Sequence, residues 1–244
     1  MKSPDFGNID GENPFYCKDA AFDWFLLPES VDLFIGHPPY YMEELELNGG
    51  DPEKQMQKAE SLEEYWDRFV SCMLHMEQAL KPNGHIFVAL QNTSLGLGVL
   101  PGIAKKTGLE LQSIRMWDYS ENVGDMGNNT AVFAHYTKKT WGAGDSPQGP
   151  FILRNLWKEA TEELSKYHSD YSTVGASPMG LYGELITNFS KEGDVVVDLF
   201  AGCGTVQLVA LKLGRKFIFN DVSEEKLLVA KKRIEDYLTS QKNI

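Results

Sequence analysis

The chain is poor in cysteine, has no long apolar run and carries fewer basic than acidic residues, and each shortage removes a class of explanation. Its 3 cysteines, Cys17, Cys72 and Cys203, are too few and too scattered for a disulfide framework. They show no metal-ligand spacing either, so they read as reduced thiols and no metal site is expected. No stretch approaches the roughly 18 consecutive apolar residues that span a bilayer. Residues 1–16 contain no apolar signal region, so the chain is expected in the cytoplasm and away from membranes. Internal repeats and low-complexity tracts are also missing. Only 23 Lys and Arg stand against 35 Asp and Glu, and a net charge of −12 is a poor match for a phosphate backbone. Net charge governs solubility and long-range steering, however, and a local basic cluster coexists readily with an acidic whole. The acidic balance therefore lowers the expectation of tight duplex binding without removing it.

What is present points to one α/β domain spanning residues 1–244. Short, continuous apolar runs at 31–35, 85–90, 195–200 and 216–219 predict strands covered on both faces, as in a parallel sheet between helices. Ser61 with Glu64 forms a capping box, and Leu62, Tyr65, Trp66, Phe69, Val70, Met73 and Leu80 recur at helical spacing behind it. Lys81-Pro82-Asn83-Gly84 is expected to stop that helix and turn into the next strand. A second helix is expected after Gly204, ending near Gly214, and a third over about 223–237. Strand–helix–strand units at both ends of the chain predict a doubly wound, mostly parallel sheet with helices on both faces. The middle differs: 142–150 is turn-forming, and 165–183, rich in Ser, Tyr and Gly, reads as a small inserted lobe or a mobile flap.

Two segments carry chemistry. In Asp198-Leu199-Phe200-Ala201-Gly202-Cys203-Gly204-Thr205 a buried strand gives way to a helix. Glycines there let the backbone pass close beneath a ligand, and the helix N-terminus offers unpaired N–H groups. Seventeen residues beyond Gly204, Asp221 ends the next strand, where a carboxylate can accept hydrogen bonds from both hydroxyls of a ribose. On spacing alone the ligand is a dinucleotide or S-adenosylmethionine. The second segment is Val31-Asp32-Leu33-Phe34-Ile35-Gly36-His37-Pro38-Pro39-Tyr40. Two adjacent prolines hold its backbone rigid before any substrate arrives.

These residues resemble the amino-group DNA methyltransferases. Residues 198–205 are similar to that family's D-x-F-x-G-x-G-T motif, and residues 31–40 to its V-D-L-x-x-x-(D/N/S)-P-P-(Y/F/W) motif. The catalytic motif precedes the cofactor motif, an order that resembles the beta group and counts against the protein-glutamine and RNA guanine-N2 enzymes. The resemblance implies a circularly permuted class I methyltransferase fold with S-adenosylmethionine as cofactor. It assigns Asp198, Phe200, Ala201, Gly202, Gly204, Thr205 and Asp221 to cofactor binding. Asp19, in Cys17-Lys18-Asp19-Ala20, resembles a family acid close to the adenine. Ser177, in Ser177-Pro178-Met179, stands where the family packs the methionine moiety, although the usual Lys-Pro is missing.

At the catalytic segment the resemblance implies methylation of adenine N6 or cytosine N4. Acceptors aimed at the two amine hydrogens, the first side chain of the motif and the Pro38 carbonyl, would turn the nitrogen lone pair toward the methyl group. Tyr40 would stack on a base swung out of the helix. No covalent intermediate is needed. His37 departs from the family's Asp, Asn or Ser. Neutral imidazole retains one acceptor nitrogen, and three readings stand: a functional substitute, a changed substrate, or an inactive copy. A functional His37 is expected to fail as it protonates, near its reference pKa of about 6.5. DNA is the expected partner, with RNA or another amine, or a non-catalytic cofactor-binding relative, as alternatives. The space for target recognition, residues 138–176, is short. Its Lys138, Lys139, Trp141, Arg154, Trp157 and Lys158 suit either phosphate and base contacts or packing of the lobe. Such a small segment points to modest sequence specificity, a single-stranded substrate or a homodimer that completes the surface.

Overall fold

Strands β1 (Phe15–Tyr16), β2 (Val31–Gly36), β3 (Leu80–Gln91), β4 (Glu110–Asp118), β5 (Thr130–Thr137), β6 (Val195–Asp198) and β7 (Lys216–Asn220) are joined with helices α1 (Leu62–Ala79), α2 (Leu100–Thr107), α3 (Met179–Phe189), α4 (Thr205–Lys212) and α5 (Glu224–Lys242). The computed structural model describes residues 13–39, 59–91, 97–118, 130–139 and 179–242. Its strands form one sheet in the order β1-β7-β6-β2-β3-β5-β4. The pairings from β1 through β3 are all parallel, and β5 enters antiparallel between β3 and β4. The sheet is thus mostly parallel with helices on both faces, as the continuous apolar runs predict.

Alternation along each strand distributes the core. Leu33, Ile35, Phe87 and Ala89 meet Leu181, Leu185, Val206, Val209, Leu227, Ala230 and Ile234 of α3, α4 and α5 on one face. Phe34, Ile86, Val88 and Leu90 meet Phe69, Met73, Met76, Leu100 and Ile103 of α1 and α2 on the other. Helix α1 begins where Ser61 Oγ accepts the Glu64 N–H at 3.1 Å, while Glu64 reaches back to the Glu60 N–H at 2.7 Å. This reciprocal cap satisfies N-terminal donors that the helix itself leaves open.

Three expectations change. Lys81-Pro82-Asn83-Gly84 is not a turn before the strand but a protrusion within β3. Val31 pairs with Leu80 and Leu33 with His85, so the intervening residues bulge from the ladder. A Cβ on Gly84 would lie 2.6 Å from Leu80 Cδ1 and 2.9 Å from the Asp32 carbonyl oxygen, so only glycine lets the chain return there. Strand β6 stops at Asp198 rather than continuing to 200, because the Asp198 carboxylate accepts the Phe200 N–H at 2.8 Å and turns the chain. Residues 179–183 are no flap: they open α3, and Leu181 and Tyr182 are buried against the core. The rest of the 165–183 segment lies outside the described residues, as does 142–150.

Candidate active site

The permuted chain order matters little to the site, because the sheet makes neighbours of its two motifs. β2 lies directly beside β6, with Leu33 opposite Val196 and Phe34 opposite Val197. Both strands run the same way, so the residues that follow them emerge at one end of the sheet. A Cβ on Gly36 would sit 3.4 Å from Phe200 Cδ2 and 3.9 Å from Asp198 Oδ1. The His37-Pro38-Pro39 segment therefore begins beside the glycine-rich turn.

That turn is tightly specified. Gly202 and Gly204 have φ of +53° and +76°, the left-handed region that side chains disfavour. Gly204 is the N-cap of α4 and no side chain caps it, so the first amides of the helix lack the intrahelical partners that later ones have. Ala201 donates its N–H to the Asn220 carbonyl at 2.9 Å, which ties the turn to the end of β7. Asp221 follows β7 and accepts the Gly202 N–H on Oδ2 at 2.8 Å and the Ser223 N–H on Oδ1 at 2.9 Å. Its carboxylate is thereby engaged by backbone donors on both oxygens, with the Val222 N–H contributing as well. Burial raises the pKa of Asp221, against opposing pulls from Lys226 and the backbone donors. Burial, with a smaller contribution from Asp221, pushes Asp198 up to about 8. Two acids held toward their neutral forms by burial would regain charge beside a cationic ligand.

Asp19 reaches the same end of the sheet through β1. Tyr16 pairs with Asn220, and the Asn220 side chain accepts the Lys18 N–H at 3.1 Å while donating to the Lys18 and Leu199 carbonyls at 3.0 and 2.9 Å. Asp19, partly buried, closes its own turn by accepting the Ala21 N–H at 2.9 Å. The Thr205 hydroxyl accepts from Arg233 Nη1 at 3.0 Å, and the same nitrogen lies 3.3 Å from the Cys203 carbonyl.

Beyond β2, Pro38 is buried and His37 and Pro39 are partly buried. Desolvation lowers the His37 pKa to about 4, so the imidazole is neutral across the physiological range. Desolvation therefore shifts the protonation expected near pH 6.5 to lower pH. Tyr65 of α1 donates its hydroxyl hydrogen to the Pro39 carbonyl at 2.9 Å.

Tyr40 and Ser177 lie outside the described residues, as does the 138–176 segment apart from Lys138 and Lys139. Lys138 Nζ pairs with Glu77 at 3.5 Å. Sequence reasoning missed Asn220 and Arg233 and read Tyr65 only as a core position. Asn220 is masked by its neighbour Asp221. Arg233 lies three residues beyond Ala230 on the buried stripe of α5 and is 1% exposed, a placement that helical spacing alone makes visible.

Comparison with known proteins gives a consistent result. The family profile described as DNA methylase, of the N6/N4 type, matches residues 31–232. The Type II methyltransferase M2.DpnII of Streptococcus pneumoniae is 26% identical, over 94% of this chain and 95% of that protein. The PvuII DNA methyltransferase (cytosine-N4-specific) superposes with a TM-score of 0.66 at 19% identity, covering 95% of this chain and 92% of the other. M1.HpyAVI, solved as a complex with SAM, gives 0.61 at 16% identity, over 90% and 98%. The fold is the class I methyltransferase fold in permuted order.

Proposed function

The chain belongs to the N6/N4 family of DNA methylases, and from that membership we propose that it methylates the exocyclic amino nitrogen of adenine (N6) or cytosine (N4) in DNA, with S-adenosylmethionine as donor. The observation that carries this reading is the parallel pairing of β2 with β6, which sets the H-P-P segment and the glycine turn at the same end of adjacent strands. When bound, S-adenosylmethionine would be held by the Gly202–Gly204 turn and Asp221 and would supply an electrophilic methyl group to the amine nitrogen. The titratable groups fit such a ligand: its sulfonium and ammonium charges suit the buried acids Asp198 and Asp221. Asp221 retains acceptor capacity for a ribose hydroxyl, and Asp19 stands at the same end of the sheet. The SAM complex of M1.HpyAVI and the cytosine-N4 specificity of the PvuII enzyme support the same chemistry.

At the target, the Pro38 carbonyl and one ring nitrogen of neutral His37 accept the two amine hydrogens and direct the lone pair toward the methyl group. Tyr40 stacks on the base. Because His37 carries no negative charge, catalysis here depends on geometry more than on electrostatic attraction of the amine. The test is incubation with methyl-labelled S-adenosylmethionine and DNA, followed by nucleoside mass spectrometry. Labelled N6-methyladenine or N4-methylcytosine is expected. Transfer only to RNA or to protein refutes the reading, and binding of the cofactor without any transfer marks a non-catalytic relative. Undiminished turnover in His37→Ala removes that side chain from the chemistry.

A further inference from the structure

We infer that Tyr65 is a positioning residue for methyl transfer, holding the H-P-P backbone from outside the motif by its hydrogen bond to the Pro39 carbonyl; the inference rests on the reading proposed above. The geometry begins with what prolines lack. Pro38 and Pro39 have no N–H to donate, so this stretch cannot be tied down through amide donors. At one end it is fixed by Gly36, the last residue of β2 in register with Val88. At the other end the Tyr65 hydroxyl, 2.9 Å from the Pro39 oxygen, supplies an anchor. Proline rings restrict φ at Pro38 and Pro39, and His37, which precedes a proline, is biased toward extended backbone, so fixing the two ends limits where the Pro38 carbonyl can point. That carbonyl is the proposed amine acceptor.

Tyr65 is itself held. Its side chain is 2% exposed and meets the Trp66 ring edge-on, with centroids 4.9 Å apart. It stands in the first turns of α1, where its N–H bonds the Ser61 carbonyl at 3.0 Å and the capping box fixes the helix start. Phe69, Met73 and Met76 fasten the same helix to the sheet. Burial keeps the phenol well above its ordinary pKa, so the hydroxyl remains a donor. The hydroxyl thus transmits the position of a rigid helix to a segment that must hold two acceptors in register with a flipped base. Displacements of about 1 Å at a reacting centre cost on the order of a hundredfold in rate.

The test is Tyr65→Phe, which keeps the ring and removes the donor. The expected result is a fall in kcat of about 10–100-fold, with KM and Kd for S-adenosylmethionine within about twofold of wild type. Phe69→Leu, one turn along α1, serves as a packing control and should lower stability without splitting kcat from KM. A kcat for Tyr65→Phe equal to wild type overturns the inference. So does a loss of kcat and cofactor affinity together, which would mark a structural role only. A readout without turnover accompanies this: protein carrying 13C-carbonyl proline is compared by NMR with and without the substitution. A carbonyl shift confined to the Pro38-Pro39 unit is expected, and an unchanged spectrum overturns the anchor. Absence of transfer by the wild-type protein overturns the functional reading, and with it the catalytic role of Tyr65. In that case the carbonyl shift still decides whether the anchor exists.

Discussion

Replacing Gly204 with alanine loads the cofactor turn with two strains that can be measured separately. At φ +76° an L residue pays about 1–2 kcal/mol for left-handed backbone. The new Cβ would also lie 2.8 Å from Ala230 Cβ and 3.4 Å from Ala230 Cα. Ala230 is fully buried on α5, so the contact cannot be relieved by a side-chain rotation, and overpacking of this kind costs about 1–3 kcal/mol. The sum is about 2–5 kcal/mol, less about 0.4–1 kcal/mol from the stiffer unfolded chain. Ala230→Gly removes the colliding methyl at about 1 kcal/mol of helix propensity. The double variant G204A/A230G should therefore recover the steric part and retain the backbone part, giving a coupling of about 1–3 kcal/mol in the cycle. Urea unfolding of the four proteins, followed by circular dichroism, measures the stabilities, and calorimetry measures cofactor affinity. A G204A stability within about 0.5 kcal/mol of wild type, or a cycle without coupling, would refute the steric and backbone strain assigned to this position.

Three further outcomes are expected. Single-turnover methylation should show no titration near pH 6.5 and should fall only as pH approaches 4, because lowering the His37 pKa moves protonation of the acceptor nitrogen to that range; a midpoint at 6.5 would contradict the desolvation of this partly buried imidazole. Asp198, raised to about 8 from 3.8, keeps in the folded state a proton that the unfolded chain releases, so its contribution to stability is lost as pH rises from about 4 to 8. Asp198→Asn should remove that slope from the unfolding free energy of the cofactor-free protein and weaken cofactor binding, and an unchanged slope would refute the assignment. Asp32 accepts the Val195 N–H at 2.9 Å and Lys81 Nζ on both oxygens at 2.8 and 2.7 Å, linking β2 to β6 and β3. Asp32→Ala should cost about 1–3 kcal/mol by stranding the amide, whereas Lys81→Ala, whose side chain is 41% exposed, should cost under about 1 kcal/mol; equal losses in urea unfolding would show that the ion pair rather than the amide bond dominates.

The strands most legible in the sequence were those buried on both faces, β2, β3, β6 and β7. Their apolar residues run continuously, and helical spacing behind a capping box made α1 equally plain. Strands β4 and β5 escaped because they are antiparallel at the sheet's far side and mix polar positions such as Ser113, Arg115 and Thr137 into their pattern. The bulge in β3 was hidden because Pro-Asn-Gly signals a reversal whether or not the ladder resumes beyond it. Among the site residues, glycines and acids announced themselves through local chemistry. Asn220, Arg233 and Tyr65 did not, since each acts through partners distant in sequence: Lys18 for Asn220, Cys203 and Thr205 for Arg233, and Pro39 for Tyr65.

The linear chain by itself determined the two motifs, their order and the residue types that make an amine-methylating site plausible, because glycine freedom, proline rigidity and carboxylate placement act within a few residues. That the motifs meet follows from long-range strand pairing alone. Parallel pairing of β2 with β6 brings Gly36 against Phe200 across most of the chain's length. The tertiary structure also decided the state of His37. An imidazole written in sequence has an ordinary pKa, and the packing around residues 36–39 withdraws it from water and lowers that value to about 4. Desolvation depends on what surrounds a group in three dimensions, and no local pattern of residues records it.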